Sequence, residues 1–299
     1  MSEDGEVGDA GGTDAFVAHR NLLFTVAYEM LGSAADAEDV LQETWLRWAD
    51  VAHDEVREPR AYLVRITTRL ALNRIRTLAR RRESYVGPWL PEPLLTSPDV
   101  AEDVELADSV STAMLLVLET LTPTERAVFV LREVFDLSYD EIAAAVDKSP
   151  AAVRQVAHRA RSHVEARRPR EVVSERDRTA VVERFMAAVA TGDLQGLMDV
   201  LSPDVVLITD GGGKKQAALR PIHGVEKVLR FLSAVMPDDG TASASPTLVN
   251  GSPGLRLLLG DELDTIATMR VDDGRVTALY LVRNPEKLAR VSEEVPLTR

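Results

Sequence analysis

The apolar residues of the first eighty or so positions recur at helical spacing. One apolar stripe includes Leu23 and Leu31, and Gly32 ends that helix because glycine readily adopts the left-handed backbone of a helix C-terminus. Ser33 is placed to cap the next helix. The repeating positions of this second helix are Ala37, Val40, Leu41, Thr44, Trp45 and Trp48. A third helix opens at Pro59, so the pattern predicts an all-α domain.

A second helical block is bounded by clear capping signals. Thr122-Pro-Thr-Glu125 and Ser138-Tyr-Asp-Glu141 each match the capping box, in which two residues satisfy free N–H groups at a helix start. Ser149-Pro150 opens a further helix. A short helix over Tyr139–Val146, a turn, and a helix over Pro150–Arg167 have the lengths of a helix-turn-helix. The sequence therefore predicts a second all-α domain.

A proline-rich stretch separates the two helical blocks. Gly87-Pro-Trp-Leu-Pro-Glu-Pro93 holds three prolines within six residues, and proline removes the N–H group that a helix needs. The stretch therefore predicts an interdomain linker. Trp89 and Leu90 are unusual in a free linker, which indicates that the linker docks on another part of the protein.

Beyond about Arg176 the pattern changes to helices followed by strands. Helices are predicted at Asp177–Ala190 and Gly224–Met236, with a buried strand at Val205–Ile208 between them. Three more strands are predicted at Leu255–Leu259, Leu263–Val271 and Arg275–Val282. Asp272-Asp273-Gly274 forms a hairpin turn between the last two. This order predicts an α+β domain with one curved sheet.

Composition agrees with a soluble multidomain protein. The chain has 299 residues, 45% of them hydrophobic and 28% charged. It contains no cysteine, which excludes disulfides and thiolate metal sites. No apolar run is long enough to span a membrane, and the acidic N-terminus lacks the features of a secretory signal, so we expect a cytoplasmic protein without a membrane partner. The expected divisions are a disordered acidic tail at 1–13, an all-α domain at 14–84, a linker at 85–104, a helix-turn-helix domain at 105–170, an α+β domain at 176–291 and a tail at 292–299.

The distribution of charge favours a polyanionic partner although the net charge is −13. The segment Arg60–Arg82 carries eight arginines and no acid. The segment Arg154–Arg170 carries six arginines and one glutamate. Solvated helix faces, the alternative interpretation, usually mix both signs of charge.

The second helix of the predicted helix-turn-helix has an inward apolar stripe and an outward basic face. The stripe consists of Val153, Val156, Ala157, Ala160 and Val164. The outward positions are Ala151, Arg154, Gln155, His158, Arg159 and Arg161. Arginine and glutamine suit guanine and adenine edges, so this face predicts DNA recognition in a major groove. A plain helical hairpin with a solvated basic face remains the alternative.

Four segments resemble the extracytoplasmic-function family of RNA polymerase sigma factors. Asp36-Ala-Glu-Asp-Val-Leu-Gln-Glu-Thr-Trp45 is similar to the polymerase-binding helix of sigma region 2. Three segments similar to region 4 are Leu121-Thr-Pro-Thr-Glu-Arg-Ala-Val-Phe-Val-Leu-Arg132, Ser138-Tyr-Asp-Glu-Ile-Ala-Ala-Ala145 and Ala152-Val-Arg-Gln-Val-Ala-His-Arg-Ala-Arg161. Their order, their spacing and the acidic linker between the two regions also match that family.

The resemblance implies two partners, core RNA polymerase (its β′ and β subunits) and promoter DNA. The residues implied to bind the β′ coiled coil are Asp36, Glu38, Asp39, Gln42, Glu43 and Trp45. The residues implied to bind the −10 element are Arg60, Arg65, Arg69, Asn73, Arg74 and Arg76, beside a loop at 51–58. The outward face of the helix-turn-helix would bind the −35 element. Core packing stays open as the alternative role of Trp45. The −10 sequence that the protein reads also stays open, because Arg69 and Asn73 stand where many members have Asn and Asp.

Three more segments resemble the subgroup with a SnoaL-like C-terminal domain, often called SigJ-like. They are Tyr85-Val-Gly-Pro-Trp-Leu-Pro-Glu-Pro-Leu94, Asp210-Gly-Gly-Gly-Lys214 and Asn284-Pro-Glu-Lys-Leu288. The implied regulatory contacts are Trp89, Leu90, Pro91, Glu92, Pro93, Asp210, Gly211, Gly212, Gly213, Lys214, Asn284, Pro285, Lys287 and Leu288. The implied fold is two all-α domains and a conical α+β domain with one curved, mostly antiparallel sheet. This domain would modulate activity without a separate anti-sigma factor.

Other functions remain open from the sequence. The Gly-rich loop at Asp210 could be a docking loop, a plain turn or an anion-binding site. A SnoaL-like enzyme would use Asp210 or His223 for proton transfer, and a sensor domain would bind an unknown small ligand. A helix-turn-helix repressor would explain neither the acidic helix at 36–45 nor the arginine-rich helix. We expect no catalytic residue, no metal and no cofactor.

Overall fold

The computed structural model describes residues 7–167, 174–235, 241–291 and 293–299. These residues divide into two compact units. The first unit comprises 7–81, 117–167 and 296–299, and the second comprises 82–116, 174–235, 241–291 and 293–295. Within the described ranges, no helix is both long and apolar enough to cross a membrane.

Helices make up the first unit and flank a sheet in the second. In chain order they are α1 (Val7–Leu31), α2 (Ala34–Ala49), α3 (Pro59–Glu83), α4 (Pro98–Glu102), α5 (Val104–Val110), α6 (Thr112–Leu118), α7 (Pro123–Phe129), α8 (Tyr139–Val146), α9 (Pro150–Glu165), α10 (Glu175–Thr191), α11 (Leu194–Val200), α12 (Val225–Val235) and α13 (Pro285–Leu288). The strands are β1 (Leu201–Asp210), β2 (Ile222–His223), β3 (Ala242–Val249), β4 (Ser252–Leu259), β5 (Glu262–Asp272) and β6 (Arg275–Val282).

The predicted helix starts are confirmed. The hydroxyls of Thr122 and Ser138 each accept a hydrogen bond from the backbone N–H three residues on. The carboxylates of Glu125 and Glu141 in turn accept from the backbone N–H groups of Thr122 and Ser138, which completes both capping boxes. Ser33 and Ser149 cap α2 and α9 by accepting from the N–H groups of Asp36 and Ala152. Asp147 adopts a left-handed conformation with φ of 57° after α8, so α8, the turn and α9 form the expected helix-turn-helix.

The N-terminal segment differs from the expected disordered tail at 1–13, because α1 already begins at Val7. The indole Nε1 of Trp48 donates a hydrogen bond of 2.7 Å to the carbonyl of Gly12. A Cβ on Gly12 would lie 2.1 Å from the ring of His53, so only glycine fits this approach. The segment around Gly12 therefore packs against α2 and the loop that follows it, which its acidic, glycine-rich composition did not indicate. Residues 1–6 lie outside the described residues.

The second unit is built on one six-stranded sheet with the order β2-β1-β6-β5-β4-β3. The pair β1–β6 is parallel and the other neighbouring strands are antiparallel, which confirms a mostly antiparallel sheet. The sequence pattern missed β3, because this strand contains Pro246 and many small residues. Proline is tolerated there since β3 is an edge strand of the ordered sheet.

Both faces of this sheet are covered by apolar side chains. The helices α10, α11 and α12 cover one face, where Phe185 and Val228 pack with Leu279 of β6. On the other face, Leu90 of the linker packs with Tyr280 and other strand residues. Leu90 is completely buried, so the expectation that the linker docks is confirmed within this unit.

The docked stretch is longer than the predicted linker at 85–104. Residues 105–116, expected with the helix-turn-helix domain, belong to the second unit. The reason is a polar turn between β3 and β4: the amide of Asn250 donates to the carbonyl of Val110 at 2.9 Å, and its Oδ1 accepts from the N–H of Leu94 at 3.1 Å. The expected tail also has a partner, because the N–H of Thr298 donates to Thr25 of α1 in the first unit at 3.2 Å.

We predict that Gly251→Ala destabilises the protein more than Gly260→Ala. Both glycines have positive φ, so each alanine incurs about 1–2 kcal/mol of backbone strain. A Cβ on Gly251 would also lie 2.6 Å from the Cα of Ala107 in α5, whereas a Cβ on Gly260 would meet nothing within 4 Å. Urea unfolding of the two variants measures the difference. Equal losses would contradict the packing of α5 against the β3–β4 turn.

Candidate functional site

The acidic helix α2 presents a mixed polar and apolar face. Asp39, Gln42 and Glu43 are exposed, and so is Leu46, whose side chain is 59% exposed. Sequence reasoning missed Leu46, although its position away from the inward apolar stripe could have revealed it. Trp45 is half-buried, with its ring centroid 5.1 Å from that of Phe16. Trp45 therefore combines a packing contact with partial access to a partner.

The acids of α2 are held by arginines of the same unit. Glu38 accepts two bonds of 2.9 Å from Arg20, and Glu43 accepts one of 2.7 Å from Arg47. Asp36 and Asp39 both pair with the guanidinium of Arg74. The acidic face therefore has its carboxylates fixed in place by neighbouring positive charges.

The predicted −10 residues of α3 have different surroundings. Arg60 is half-buried, Arg65 lies over the ring of Tyr62 at 4.8 Å, and Arg76 is exposed and donates to Asn73 at 3.2 Å. Arg69 instead donates to the carbonyl of Ala144 at 2.9 Å, in the last turn of α8. These residues therefore share one helix but not one environment.

A second arginine, Arg126 of α7, also donates to a carbonyl in the last turn of another helix, here α1. It donates to the carbonyl of Met30 in the last turn of α1 at 2.8 Å, and also to Leu118 and Glu119. Its side chain is buried, and this burial lowers the pKa of Arg126 to about 10. Sequence reasoning quoted Arg126 within a motif but gave it no role, because its partner Met30 lies 96 residues away in the chain.

The helix α9, which the sequence predicts to recognise DNA, has the expected faces. All six predicted −35 positions are exposed, and the five positions of the inward stripe are buried. Arg161 pairs with Glu133 at 2.6 Å and Arg159 lies 3.6 Å from Glu125. Arg154 lies over the ring of Tyr139 at 5.5 Å. Among the described residues, Arg154, Gln155 and His158 therefore form the part of this face that makes no ion pair.

A cleft of about 330 Å³ opens beside this face. Its lining includes the predicted residues Gln155 and Arg159 together with Thr124 and Lys148. The last two were missed by sequence reasoning, although Lys148 lies in the turn of the helix-turn-helix, where a cation can reach a phosphate.

In the second unit, the three segments that carry the SnoaL-like resemblance meet at the carboxylate of Asp210. This side chain is completely buried. It accepts hydrogen bonds from the Tyr85 hydroxyl at 2.6 Å, the Leu90 N–H at 2.9 Å, the Gly212 N–H at 3.0 Å and the Lys287 ammonium at 2.7 Å. We call this group of five residues the linker latch.

Burial and charge shift the pKa values of two members of the linker latch, Lys287 and Tyr85. Burial lowers the pKa of the Lys287 ammonium below its usual value, although the Asp210 charge acts in the opposite direction. Burial and the neighbouring Asp210 carboxylate raise the pKa of the Tyr85 hydroxyl. Lys287 also donates to the carbonyl of Leu90. The charged ammonium and carboxylate therefore stabilise each other inside the unit.

Trp89 and Asn284 extend the linker latch. Two cations lie close to the Trp89 ring, with Arg82 3.8 Å and Lys287 4.3 Å from its centroid. Asn284 caps α13, which begins at Pro285, and donates to the Tyr85 hydroxyl at 2.9 Å. Sequence reasoning missed Arg82 and Tyr85 as contact residues.

The glycines of the loop are required by close approach. A Cβ on Gly212 would lie 2.3 Å from the amide nitrogen of Asn284, and a Cβ on Gly211 would lie 2.2 Å from the carbonyl of Lys215. Gly213 has positive φ and faces Val86. The other predicted contacts lie in the same unit: Pro91, Pro93 and Leu288 are buried, Glu92 is half-buried and Lys214 pairs with Glu286.

The two residues that the sequence offered for proton transfer, Asp210 and His223, have different surroundings. Asp210 is enclosed by the donors of the linker latch, and His223 is exposed on β2. Among the residues that the structure describes, no group of three His, Asp or Glu side chains could hold a metal ion.

Comparison with known families identifies all three parts of the chain. Sigma-70 region 2 matches residues 15–81, Sigma-70 region 4 matches 111–164, and the SnoaL-like domain matches 182–279. The extracytoplasmic-function (ECF) RNA polymerase sigma factor SigJ of Mycobacterium tuberculosis H37Rv is 38% identical over 287 residues, which cover 91% of each chain. The chain belongs to the ECF sigma factors.

Two further comparisons support this membership. SigI of Mycobacterium tuberculosis H37Rv is 30% identical over 284 residues, covering 94% of this sigma factor and 96% of SigI. The crystal structure of Mycobacterium tuberculosis SigJ superposes with a TM-score of 0.75 at 35% identity, covering 94% of this chain and 99% of that one. The expected fold of helical sigma domains and a C-terminal SnoaL-like α+β domain is confirmed. Like its relatives, this sigma factor acts with RNA polymerase in promoter recognition and transcription initiation.

We predict that Asp210→Asn destabilises the second unit by about 3–5 kcal/mol, because it leaves the buried Lys287 charge without its anion. Adding Lys287→Met should recover part of this loss, because it removes the stranded charge. Urea unfolding of the single and double variants gives both values. Glu286→Gln is the control, since Glu286 pairs with Lys214 at the surface. A double variant less stable than Asp210→Asn alone would contradict this coupling.

Proposed function

We propose that this sigma factor is regulated by its own C-terminal domain, in place of a separate anti-sigma factor. The observation that carries the proposal is the linker latch, in which Asp210 binds the linker through Tyr85 and Leu90. The linker joins sigma region 2 to sigma region 4 along the chain. A docked linker cannot extend, so docking limits how far the two regions can separate on a promoter.

Three surfaces take the roles that the family resemblance implies. The exposed face of α2 binds the β′ subunit of core polymerase, and α3 with the loop before it binds the −10 element. The exposed face of α9 binds the −35 element, supported by the exposure of Arg154, Gln155 and His158. As a subunit of bacterial RNA polymerase, the protein acts in the cytoplasm.

The C-terminal domain has no catalytic role in this proposal. Asp210 is the buried acid that could have transferred a proton, and its oxygens are engaged by four donors of the linker latch. The other sequence candidate, His223, is exposed to solvent on β2. Docking of the linker is the function that this loop supports.

We predict that opening the linker latch changes run-off transcription with core polymerase severalfold. Gly212→Ala opens it locally, because its Cβ would meet Asn284, and removal of the C-terminal domain after about Arg170 opens it completely. Both changes should act in the same direction, and the point variant should reproduce part of the effect. Gly260→Ala is the control, with similar φ and open space around its Cβ. If Gly212→Ala and the truncated chain both give as much transcript as the unaltered chain, the proposed regulatory role is wrong.

We predict that Arg154→Ala reduces discrimination of the −35 element by roughly 1–3 kcal/mol. The measurement compares binding of the holoenzyme to its promoter and to promoters with single −35 substitutions. Arg161→Ala is a suitable comparison, because Arg161 already pairs with Glu133. Equal losses on specific and random DNA would mean that Arg154 contacts phosphate alone.

A further inference from the structure

The polymerase-facing acids and the arginine-rich helix meet at one side chain, Arg74. Its Nε donates to Oδ1 of Asp36 and its Nη2 donates to Oδ2 of Asp39, both at 2.6 Å. Asp36 and Asp39 are one turn apart at the start of α2, so a single guanidinium joins two carboxylates of the acidic face to α3. A planar guanidinium suits this double contact because its N–H groups have a fixed fork geometry.

The surroundings make this contact more than a surface ion pair. The Asp36 side chain is 14% exposed and that of Arg74 is 33% exposed, whereas Asp39 is 58% exposed. Burial acts against the charged guanidinium, but the bonds and charges of Asp36 and Asp39 outweigh it and hold the pKa of Arg74 above its usual value. Asp36 therefore anchors the arginine, and Asp39 is held at the surface with its second oxygen available to a partner.

The other arginines of α3 provide the contrast. Arg76 is two residues further on, exposed, and donates to Asn73 of its own helix. It can turn towards a phosphate without breaking an ion pair with region 2 acids. Arg74 could reach DNA by giving up two charged partners, which would leave Asp36 and Asp39 repelling each other at the helix start.

We propose that Arg74 is a positioning residue of the polymerase-binding face, which holds Asp36 and Asp39 for core polymerase, and that it does not contact the −10 element. This rests on the proposed function, in which the exposed face of α2 binds polymerase. The consequence is that the arginine-rich helix serves two partners: Arg74 supports polymerase binding from within the protein, and Arg76 faces DNA.

The test measures two affinities of the full-length chain: its affinity for core polymerase, and the affinity of the saturated holoenzyme for promoter DNA. Arg74→Gln should weaken core binding roughly three- to tenfold and leave promoter binding at saturation unchanged. Arg76→Gln, the matched control, should do the reverse. Arg74→Lys should give an intermediate core affinity, because lysine keeps the charge but lacks the fork.

Coupling to Asp39 separates positioning from a general loss of stability. Asp39→Asn should weaken core binding, and adding Arg74→Gln should weaken it by less than the product of the two single effects. Thermal unfolding of each variant verifies that it is folded. Normal core binding by Arg74→Gln, with promoter binding reduced as in Arg76→Gln, would overturn the inference and return Arg74 to the DNA-binding set.

A different result would overturn the proposed function itself. If Asp39→Asn and Leu46→Ala both bind core polymerase as the unaltered chain does, the exposed face of α2 is not the polymerase surface, and the role of Arg74 falls with it. If they weaken binding and Arg74→Gln does not, the surface stands and the positioning role alone is wrong.

Discussion

The arrangement of the second unit depends on the buried carboxylate of Asp210. A buried charge is costly unless every acceptor site is used and an opposite charge is near. The protein meets this requirement from three separate segments: the linker supplies Tyr85 and Leu90, the loop supplies Gly212, and α13 supplies Lys287. No single segment could satisfy the carboxylate alone. The loop, the linker and α13 therefore hold their positions together, and the linker that connects the two sigma regions is part of the C-terminal domain's structure.

Several arginines of the first unit are also paired with acids inside the protein. Charge along the chain indicated two DNA-facing helices, yet Arg74 holds acids of α2 and Arg161 pairs with Glu133. A count of arginines therefore overestimates the surface offered to DNA. An acidic face crossed by internal arginines is also less repulsive towards phosphate than its sequence suggests. This helps to explain how a chain with a net charge of −13 can work on a promoter.

Local patterns predicted the parts of the structure that depend on local physics. The capping boxes at Thr122 and Ser138 and the inward stripe of α9 follow from short-range bonding and helical periodicity. The strand β3 was missed because an edge strand tolerates Pro246 and needs no apolar alternation. The donors around Asp210 lie up to 125 residues away in the chain. Family resemblance brought those segments together as candidates, but periodicity and charge gave no sign that one carboxylate joins them.

Arg69 and Arg126 connect the two sigma regions to each other. Each region gives an arginine to the last turn of a helix in the other: Arg69 reaches Ala144 at the end of α8, and Arg126 reaches Met30 at the end of α1. Such carbonyls lack helical partners and carry partial negative charge, so a guanidinium stabilises them. A phosphate is a stronger acceptor for the same group. An Arg69 that contacts the −10 element would therefore have to give up its bond to Ala144, whereas the bond from Arg126 to Met30 does not involve the predicted −10 residues.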